Sequence, residues 1–577
     1  MLDKLAIARA LREIGSLLEL RGDNPFKARA YDNGARSLEK LTEDLGKLVD
    51  ERRLTEIKGI GDALAAKISE LFLTGRCAML DELRAELPPG IVELSLVPDL
   101  GPKKIAALVT ALGITGVADL KAACEAGRVR DVAGFGETSE LKILDGIRRF
   151  ESHEERMLLV HAVELGEELL AFVRQDAAVV QADLAGSLRR SKETVADLDI
   201  VVATDEPARV MDHFLKFPAM AKVEARGDTK CTARLSTGVQ IDLRAVPPAD
   251  YATALHHFTG SKEHHVRVRG IARDHGLTIS EWGVTQISDG KKLDITDEKA
   301  LYAAVGLPFI PPELRENEGE IEAALAGETF EDLIALGDLR GMVHCHTTYS
   351  DGKNSIAEMA LAAEAMGMRY LTITDHSPTA SYAGGLTIDR MLEQWDEIAR
   401  VQELVKLKIL RGTESDILAD GALDFPDAIL EKLDVVIASV HSRMKMDEDT
   451  MTRRLVGAMR QPVFKIWGHA LGRLLLKREP FACRVEEVLD AAAASRAAIE
   501  VNGDPFRLDM EPRWLREARK RGLKFVISTD AHSVKALNNL RYGVGIARRG
   551  GVRRSEVLNA LDVEGFRAAV NPATAGA

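Results

Sequence analysis

The last six histidines of the chain all stand at or just after the end of a short apolar stretch. The stretches have the length of β-strands and alternate with helical patterns, so the sequence beyond Arg340 indicates repeated βα units. Such units form a parallel sheet or barrel, in which the carboxyl ends of the strands share one face. A buried histidine is usually a core residue, but packing alone does not explain why none of the six falls elsewhere. These residues are His344, His346, His376, His441, His469 and His532.

Acidic residues accompany these histidines. Asp351 follows the turn after the first strand, Glu414 closes another apolar stretch, and Asp530 lies two residues before His532. Imidazole and carboxylate groups without thiolates suit zinc, manganese or iron. The sequence therefore predicts a metal centre at the ends of the strands.

This region, about residues 338–570, resembles the PHP (polymerase and histidinol phosphatase) domain, a distorted β/α barrel with a polynuclear metal site. The resemblance implies metal-dependent hydrolysis of phosphoesters, with a cluster of Mn²⁺ or Zn²⁺ in which Glu414 bridges two ions. It is specific for this chemistry and much less specific for the substrate. The implied ligands are His344, His346, Asp351, His376, Glu414, His441, His469, Asp530 and His532.

A second group of acids lies in the front half of the chain. Asp197 and Asp199 occupy positions i and i+2 of a strand-like run, so their side chains point to one face about 6–7 Å apart. Asp242 lies on the polar face of the run from Val239 to Leu243. Three carboxylates on neighbouring strands could hold two divalent ions about 3.5–4 Å apart, the arrangement for in-line phosphoryl transfer. Surface acids on an exposed sheet face are the alternative.

Two further motifs, Gly186-Ser187-Leu188-Arg189-Arg190 upstream and Ile241-Asp242-Leu243-Arg244 downstream, favour the metal interpretation. The segment Gly186-Ser187-Leu188-Arg189-Arg190 offers hydroxyl, backbone and guanidinium donors to a triphosphate. With Phe258-Thr259-Gly260-Ser261, these motifs make roughly residues 1–315 resemble the family X DNA polymerases of the polymerase β type. The resemblance implies that the three aspartates hold Mg²⁺ or Mn²⁺ and that Asp242 activates the primer 3′-hydroxyl.

The same resemblance implies a nucleotide pocket that departs from the usual pattern. His257 stands where a tyrosine is usual, and His265 stands where an asparagine is usual. Arg269 matches an arginine that reaches the template side. The implied nucleotide-binding residues are Gly186, Ser187, Arg190, Phe258, Gly260, Ser261, His265 and Arg269.

A glycine-flanked turn before a helix recurs within the first 150 residues. Gly59-Ile60-Gly61 and Gly134-Phe135-Gly136 precede predicted helices, and Leu100-Gly101 is a weaker copy with Asp99 at the first glycine's place. Such turns expose N–H groups at the positive end of a helix and suit a DNA phosphate, although ordinary helix corners are the alternative for a single copy. The repeats favour helix-hairpin-helix binding to the DNA backbone. The predicted DNA contacts are Lys27, Gly59, Gly61, Gly101, Gly134, Gly136, Lys230 and Arg244.

In family X polymerases the N-terminal domain can carry a lyase that forms a Schiff base on a lysine. Lys67, eight residues after Gly59, matches the position of that nucleophile, whereas Ala63 replaces a lysine that helps to bind phosphate. Binding of the 5′-phosphate of a gap through Lys27 is the alternative for this domain.

Composition adds weaker constraints. The net charge of −13 argues slightly against DNA binding, but acids and bases nearly balance over residues 1–150. The five scattered cysteines indicate free thiols in a reducing cytoplasm. No stretch approaches the roughly 20 apolar residues that span a bilayer. We expect a monomer in the cytoplasm, associated with the nucleoid and without membrane partners.

A chain of 577 residues is too long for one hydrophobic core, and the patterns predict a multidomain α/β protein. We expect a helical helix-hairpin-helix domain (1–84), a second helix-hairpin-helix domain (85–152), a nucleotidyltransferase palm of mixed α+β structure (153–250), a nucleotide-selection domain (251–315), a linker (316–337) and the distorted β/α barrel of the PHP domain (338–577).

These domains predict a DNA-directed DNA polymerase that uses dNTPs to fill short gaps in DNA repair. The PHP domain is expected to act as a metal-dependent 3′–5′ exonuclease, with AP endonuclease activity as a further option. Two alternatives stay open. One is a nuclease that binds gapped or nicked DNA and has a vestigial polymerase, and the other is a PHP phosphomonoesterase.

Overall fold

The computed structural model describes residues 4–39, 41, 45–74, 77–95, 97, 100–151 and 156–573. The chain forms two compact units, Met1–Arg156 with Pro207–Leu243, and Met157–Glu206 with Arg244–Ala577. Each unit is built from parts of the chain that are distant in sequence.

The first part of the chain is helical and has two separate apolar cores. Leu11, Ile14 and Ile68 lie in the first core, whereas Leu108 and Ile143 lie in the second. Among the described residues no single helix is long and apolar enough to cross a membrane. One bent pair of helices, Pro102–Leu112 with Val117–Glu125, reaches the required length and hydropathy, judged by length and composition alone. The helices are α1 (Lys4–Arg21), α2 (Pro25–Glu39), α3 (Leu45–Asp50), α4 (Asp62–Thr74), α5 (Ala78–Glu86), α6 (Pro89–Ser95), α7 (Pro102–Leu112), α8 (Val117–Glu125) and α9 (Glu137–Glu151).

Strands follow, and they belong to both units. In the second unit β1 (Met157–Leu158) pairs antiparallel with β3 (Thr194–Val195), and β2 (Gln181–Leu184) pairs antiparallel with β4 (Asp197–Ala203). The helices α10 (Leu159–Val173) and α11 (Gly186–Arg189) lie between these strands in sequence. In the first unit α12 (Pro207–Phe214) precedes an antiparallel pair, β5 (Met220–Arg226) with β6 (Lys230–Leu235). The next strand, β7 (Gln240–Val246), begins in the first unit, and its last three residues belong to the second.

Residues 251–337 form one folded region around a shared apolar core. Val268, Leu301 and Ile310 are buried in it, and so are Ile321 and Phe330 from the segment 316–337 that the sequence predicts as a linker. The segment is rich in acidic residues, but Ile321 and Ala324 of its short helix face inward, whereas Leu325 is exposed. The elements are α13 (Tyr251–Thr259), α14 (Lys262–Asp274), β8 (Leu277–Ser280), β9 (Gly283–Gln286), α15 (Glu298–Ala304) and α16 (Glu320–Leu325).

The last part of the chain is a seven-stranded parallel sheet whose strands follow one another in sequence order. A bridge from Cys345 to Ala531 links the first strand to the residues after the last one, so the sheet nearly closes into a barrel. The strands are β10 (Gly341–Cys345), β11 (Tyr370–Ile373), β12 (Lys408–Asp416), β13 (Val435–Ser439), β14 (Lys465–Trp467), β15 (Ala497–Asn502) and β16 (Phe525–Ser528). The helices are α17 (Ile356–Ala365), α18 (Ile388–Gln402), α19 (Asp427–Leu430), α20 (Glu448–Met459), α21 (Val485–Ala493), α22 (Pro512–Lys520), α23 (Leu540–Arg549) and α24 (Val563–Val570).

Candidate active sites

Glu414 lies at the centre of a cluster formed by the strand ends of the barrel. Its Oε1 atom lies 2.8 Å from His469 Nε2 and 3.3 Å from His441 Nε2. Its Oε2 atom lies 2.9 Å from His376 Nδ1 and 3.6 Å from His346 Nε2. His344 Nε2 also lies 3.4 Å from Oε1, so this completely buried carboxylate has three histidines beside one oxygen and two beside the other.

The predicted ligand set contains three overlapping groups with the spacing of metal sites. Each residue of a group offers one ligand atom, and these atoms lie within 4.8 Å of one another. The shared histidines place the three groups side by side, as a polynuclear site requires. The groups are His346, Asp351, His376 and His532; His344, His346 and Asp530; and His376, Glu414 and His441.

The backbone turns sharply at three of the predicted ligands. His344, His469 and Asp530 have positive φ angles of 64°, 23° and 49°. The pairing of β10 with β11 also shifts register between Met342 and Cys345, as at a β-bulge. Non-glycine residues adopt such conformations at a cost and do so mainly where function requires it. Here they aim side chains from different strands at one point.

The donor atoms of the cluster fit a group of cations. Among the described residues, the buried atoms without a hydrogen-bond partner include Nε2 of His344, both ring nitrogens of His346, Nδ1 of His376 and Oε2 of Glu414. Unsatisfied buried polar atoms are rare, and each one needs a partner. Divalent cations would supply that partner to ring nitrogens and carboxylates together.

Glu500 and Asp416 orient two of the histidines and were missed in the sequence. His344 Nδ1 lies 2.5 Å from Glu500 Oε1, and His441 Nδ1 lies 2.5 Å from Asp416 Oδ1. A carboxylate on one ring nitrogen leaves the other nitrogen directed into the cluster. The available signal was an acidic residue within a buried apolar strand, as in Ile499-Glu500-Val501.

Charges within the cluster depend strongly on one another. Burial tends to raise the pKa of Glu414, but His441, His344 and His376 together hold this pKa well below its usual range. Burial also tends to lower the pKa of His441, yet the carboxylates of Glu414 and Asp416 raise it to about 10. Protons here balance buried carboxylates, a role that bound cations would take over.

Gly186 and Asp199 meet closely in the second unit. Gly186 has a φ of +59°, and a Cβ atom there would lie 2.1 Å from Asp199 Oδ2. Only glycine therefore fits under this carboxylate. Asp197 and Asp199 are half-buried on β4 while Leu198 and Ile200 are fully buried, so both aspartates share the face expected from the spacing.

The arginines of the segment 186–190 are held by acids from residues 251–337. Arg189 binds Glu298 through Nη1 and Nη2 at 3.0 and 2.7 Å. Arg190 Nε donates to Glu316 Oε1 at 3.0 Å, and its Nη1 donates to the carbonyl of Thr259. The predicted triphosphate ligand Arg190 is thus fixed in orientation by its neighbours.

The predicted nucleotide pocket lies beside these arginines. Ser261 caps α14 by accepting a hydrogen bond from the backbone of His264 at 3.2 Å. His265 is 6% exposed, and burial, His257 and Arg269 together lower its pKa to about 4. Its imidazole is neutral at pH 7. Among the described residues, neither of its ring nitrogens has a hydrogen-bond partner. The Arg244 guanidinium lies 4.7 Å above the centre of the Phe258 ring.

Asp242 lies in the first unit, where two side chains contact its carboxylate. Lys230 Nζ lies 2.9 Å from its Oδ2, and Thr232 donates to its Oδ1 at 2.6 Å. A common metal site with Asp197 and Asp199 stays a prediction.

Two glycine turns of the helical region have matching geometry. Gly59 and Gly134 have φ angles of +90° and +87°, and each turn leads directly into a helix. Gly101 instead adopts extended backbone as the N-cap of α7, and Asp99 lies outside the described residues. Addition of a Cβ atom at Gly61, Gly101 or Gly136 would meet nothing within 4 Å, as expected of an open surface.

The two lysines predicted in the first domain lie on separate helices. Lys67 Nζ, on α4, lies 3.7 Å from Glu70 Oε2, and its side chain is about one-third exposed. Lys27 is exposed on α2. Both predicted roles stay predictions.

Four family models match successive parts of the chain. They are a helix-hairpin-helix domain over residues 3–77, a SAM-like helix-hairpin-helix tandem over 91–149, a DNA polymerase beta thumb over 254–316 and a PHP domain over 343–504.

One relative matches nearly the whole chain, and others match about a third of it. DNA polymerase/3′-5′ exonuclease PolX of Bacillus subtilis is 39% identical over 572 residues, which cover 98% of this chain and 99% of that protein. A "Probable phosphatase" of Thermoanaerobacter is 28% identical over 227 residues, or 37% of this chain and 88% of that protein. Another from Caldicellulosiruptor bescii is 30% identical over 199 residues, or 33% of this chain and 78% of that protein.

The fold and the site define a multidomain polymerase in which a helix-hairpin-helix region and a polymerase β-like core precede a PHP metallohydrolase barrel. The chain belongs to the bacterial family X DNA polymerases with a C-terminal PHP domain. The expected family and fold class are thereby confirmed, and DNA binding and dependence on divalent metal follow from them.

Proposed function

We propose that this protein is a DNA-directed DNA polymerase that fills short gaps and that its PHP barrel trims DNA 3′ ends. The near full-length match to a polymerase with 3′–5′ exonuclease carries the proposal. The complete donor set around Glu414 supports the nuclease, because no position of the expected ligand pattern has lost its side chain.

In the polymerase, each part of the chain has a distinct task. Asp197, Asp199 and Asp242 would hold two Mg²⁺ or Mn²⁺ ions, which supply charge neutralisation for in-line phosphoryl transfer. Asp242, oriented by Lys230 and Thr232, would accept the proton of the primer 3′-hydroxyl.

The incoming nucleotide would be held mainly through its triphosphate. Ser187 and Arg190 would donate hydrogen bonds to its oxygens. A Cβ atom at Gly260 would lie 3.1 Å from Arg190 Nη1, so glycine leaves room for this guanidinium. The neutral ring of His265 offers one donor and one acceptor to the base or sugar.

In the barrel, the nine predicted ligands would hold a cluster of Mn²⁺ or Zn²⁺ ions, which supply Lewis acidity for attack of water on a phosphodiester. Glu500 and Asp416 keep ring nitrogens of His344 and His441 directed at the cluster. Arg507 Nε lies 3.5 Å from Asp530 Oδ2, and its guanidinium could neutralise the scissile phosphate.

Phosphomonoester hydrolysis is the second candidate for the barrel. It is favoured by two relatives named as probable phosphatases, which match 227 and 199 residues of this chain, about the length of the barrel, over most of their own length. A small phosphate ester and a DNA 3′ end therefore need to be compared directly on the same preparation.

The test uses a gapped duplex, 5′-labelled on the primer strand, incubated with the full chain and Mn²⁺. We expect shortening without dNTPs and extension across the gap when all four dNTPs are added. p-Nitrophenyl phosphate is tested in parallel. Extension without shortening, together with rapid hydrolysis of the small ester, would assign the barrel to phosphomonoesters and contradict the exonuclease. Shortening without extension would contradict the polymerase.

A further inference from the structure

Arg549 of the PHP barrel reaches the segment that carries the predicted triphosphate ligand. It is the last residue of α23, and only 6% of it is exposed. Its Nη1 pairs with Glu193, which lies three residues after Arg190, and its Nη2 lies 4.0 Å from Glu316 Oε1. One buried guanidinium thus lies within ion-pair distance of two acids: Glu193, shortly after Arg190 in sequence, and Glu316, which comes from residues 251–337.

Glu193 is held from a second direction as well. Arg473 Nη2, also from the barrel, lies 3.5 Å from Glu193 Oε1. Burial tends to raise the pKa of Glu193, but Arg549 and Arg473 lower it to about 2. The carboxylate therefore stays ionised and paired throughout the neutral pH range. The backbone carbonyl of Glu193 accepts a hydrogen bond from Leu159 at 3.0 Å, which ties this position to α10.

Glu316 connects Arg549 to Arg190. Its Oε1 accepts a hydrogen bond from Arg190 Nε at 3.0 Å and lies 3.8 Å from Lys192 Nζ. The side chains of Arg190 and Glu316 are 12% and 13% exposed, so solvent screens this pair only weakly. Because Nη1 of Arg190 also donates to the carbonyl of Thr259, two acceptors fix the plane of its guanidinium group. Arg549 lies close to one of these acceptors, Glu316.

The backbone of the segment also rests on α23. Ser191 adopts a left-handed conformation with φ 55°, and a Cβ atom at Gly545 would lie 3.1 Å from its hydroxyl. A strained turn persists only when its surroundings hold it in place. The barrel thus supports this turn and its neighbours at three residues: Ser191, Glu193 and Glu316.

We propose that Arg549, a residue of the nuclease barrel, is a positioning residue for nucleotide addition. Through Glu193 and Glu316 it fixes the segment that presents Arg190 to the triphosphate of an incoming dNTP. The inference rests on the proposed polymerase function and adds to it a dependence of one active site on the domain of the other.

The test compares two adjacent arginines of α23 in the full chain. Arg549→Ala should raise the KM for dNTP in gap filling about tenfold with a much smaller change in kcat, because the lost contact positions a binding group. Arg548→Ala is the matched control. Arg548 also bridges to the polymerase part, through Glu313 at 2.7 Å, but it forms no hydrogen bond or ion pair with residues 186–193. It should leave the KM for dNTP near that of the wild type.

Further variants separate positioning from general damage. Glu193→Gln should also raise the KM, and the double variant should raise it by less than the product of the two single effects, because both changes remove the Arg549–Glu193 contact while only Arg549 also supports Glu316. Arg549→Lys should restore part of the affinity. Shortening of the 3′ end by every variant should stay at the wild-type rate, which reports an intact barrel.

Equal KM values for Arg549→Ala and Arg548→Ala would overturn the inference. So would additive effects of Arg549→Ala and Glu193→Gln. If Arg549→Ala does not fold, an unchanged KM in both Glu193→Gln and Arg549→Lys would overturn it as well. Wild-type protein that adds no nucleotide would instead refute the proposed polymerase function.

Discussion

Lys230 Nζ lies 2.9 Å from Asp242 Oδ2, and this ion pair joins two residues for which the sequence predicts different roles. Lys230 is predicted as a DNA contact and Asp242 as a metal ligand. Thr232 donates to the other oxygen of Asp242, so both oxygens of the carboxylate are oriented from one neighbouring strand. Lys230 and Thr232 therefore orient the Asp242 carboxylate, and the contact of Lys230 with DNA stays a prediction.

Asp242→Asn should lower nucleotide addition by about 10²- to 10⁴-fold, the range for loss of a general base, and more if metal binding fails too. Trimming of 3′ ends should persist because the barrel ligands lie elsewhere. Asp212→Asn, which alters an exposed acid paired with Arg226, is the control. Extension and shortening are scored on the same labelled duplex. Loss of both activities together would contradict two separate sites.

Glu414→Gln keeps the shape of the central side chain and removes its charge. Metal content should fall by more than about one ion per chain, and 3′–5′ degradation should fall by orders of magnitude, because cations lose the charge that lets them sit close together. Elemental analysis measures the first effect. Glu397→Gln is the control, because it alters a carboxylate that accepts a hydrogen bond from the hydroxyl of Tyr349. Full metal content with normal trimming would show that Glu414 does not bridge ions.

Glu500→Gln should weaken metal binding without removing a ligand. Loss of such a partner typically costs about 10- to 100-fold in metal affinity, because the imidazole is no longer held in one tautomer. The nuclease should therefore need more Mn²⁺ and recover when Mn²⁺ is in excess. Asp416→Asn should behave in the same way through His441. Failure of excess Mn²⁺ to restore trimming would place Glu500 among the ligands themselves.

A fragment ending at Gly319 should be less stable than one ending at Asp338. The shorter fragment lacks Ile321 and Phe330, which are buried in the apolar core of residues 251–337. It also lacks Glu320, whose Oε1 atom lies 2.6 Å from His264 Nδ1. Burial of each large apolar side chain contributes roughly 1.5–3 kcal/mol. Both fragments lack the barrel, so their thermal midpoints are directly comparable. Equal midpoints would show that the predicted linker contributes no stability.

Affinity for gapped DNA should fall steeply as salt rises, because phosphate contacts release counterions. Lys27→Ala should reduce the slope of log K against log salt by about one if Lys27 binds a phosphate. Lys520→Ala removes an exposed lysine of the barrel and is the control. Fluorescence anisotropy at several salt concentrations measures the slopes. A flat dependence for the wild type would exclude the phosphate backbone as the main contact.

Much of the cluster in the barrel could be predicted because its geometry follows from local rules. Each predicted ligand stands at or after the end of an apolar strand, and parallel strands bring these ends to one face. The alternation of Asp197 and Asp199 with buried apolar neighbours follows equally from strand periodicity. The sequence by itself therefore determined the fold class, the family and the chemical type of the cluster.

Only the tertiary structure decided how distant residues pair. Glu500 and His344 lie 156 positions apart, and Arg549 and Glu193 lie 356 positions apart. No periodicity within a short segment links such residues, because their contact depends on how whole strands and helices pack. The burial of Ile321 and Phe330 has the same origin, since an acidic segment gains a core only when the neighbouring elements cover its few apolar side chains. Strand ends are thus a local property of a sequence, whereas the partners that orient their side chains are set by packing.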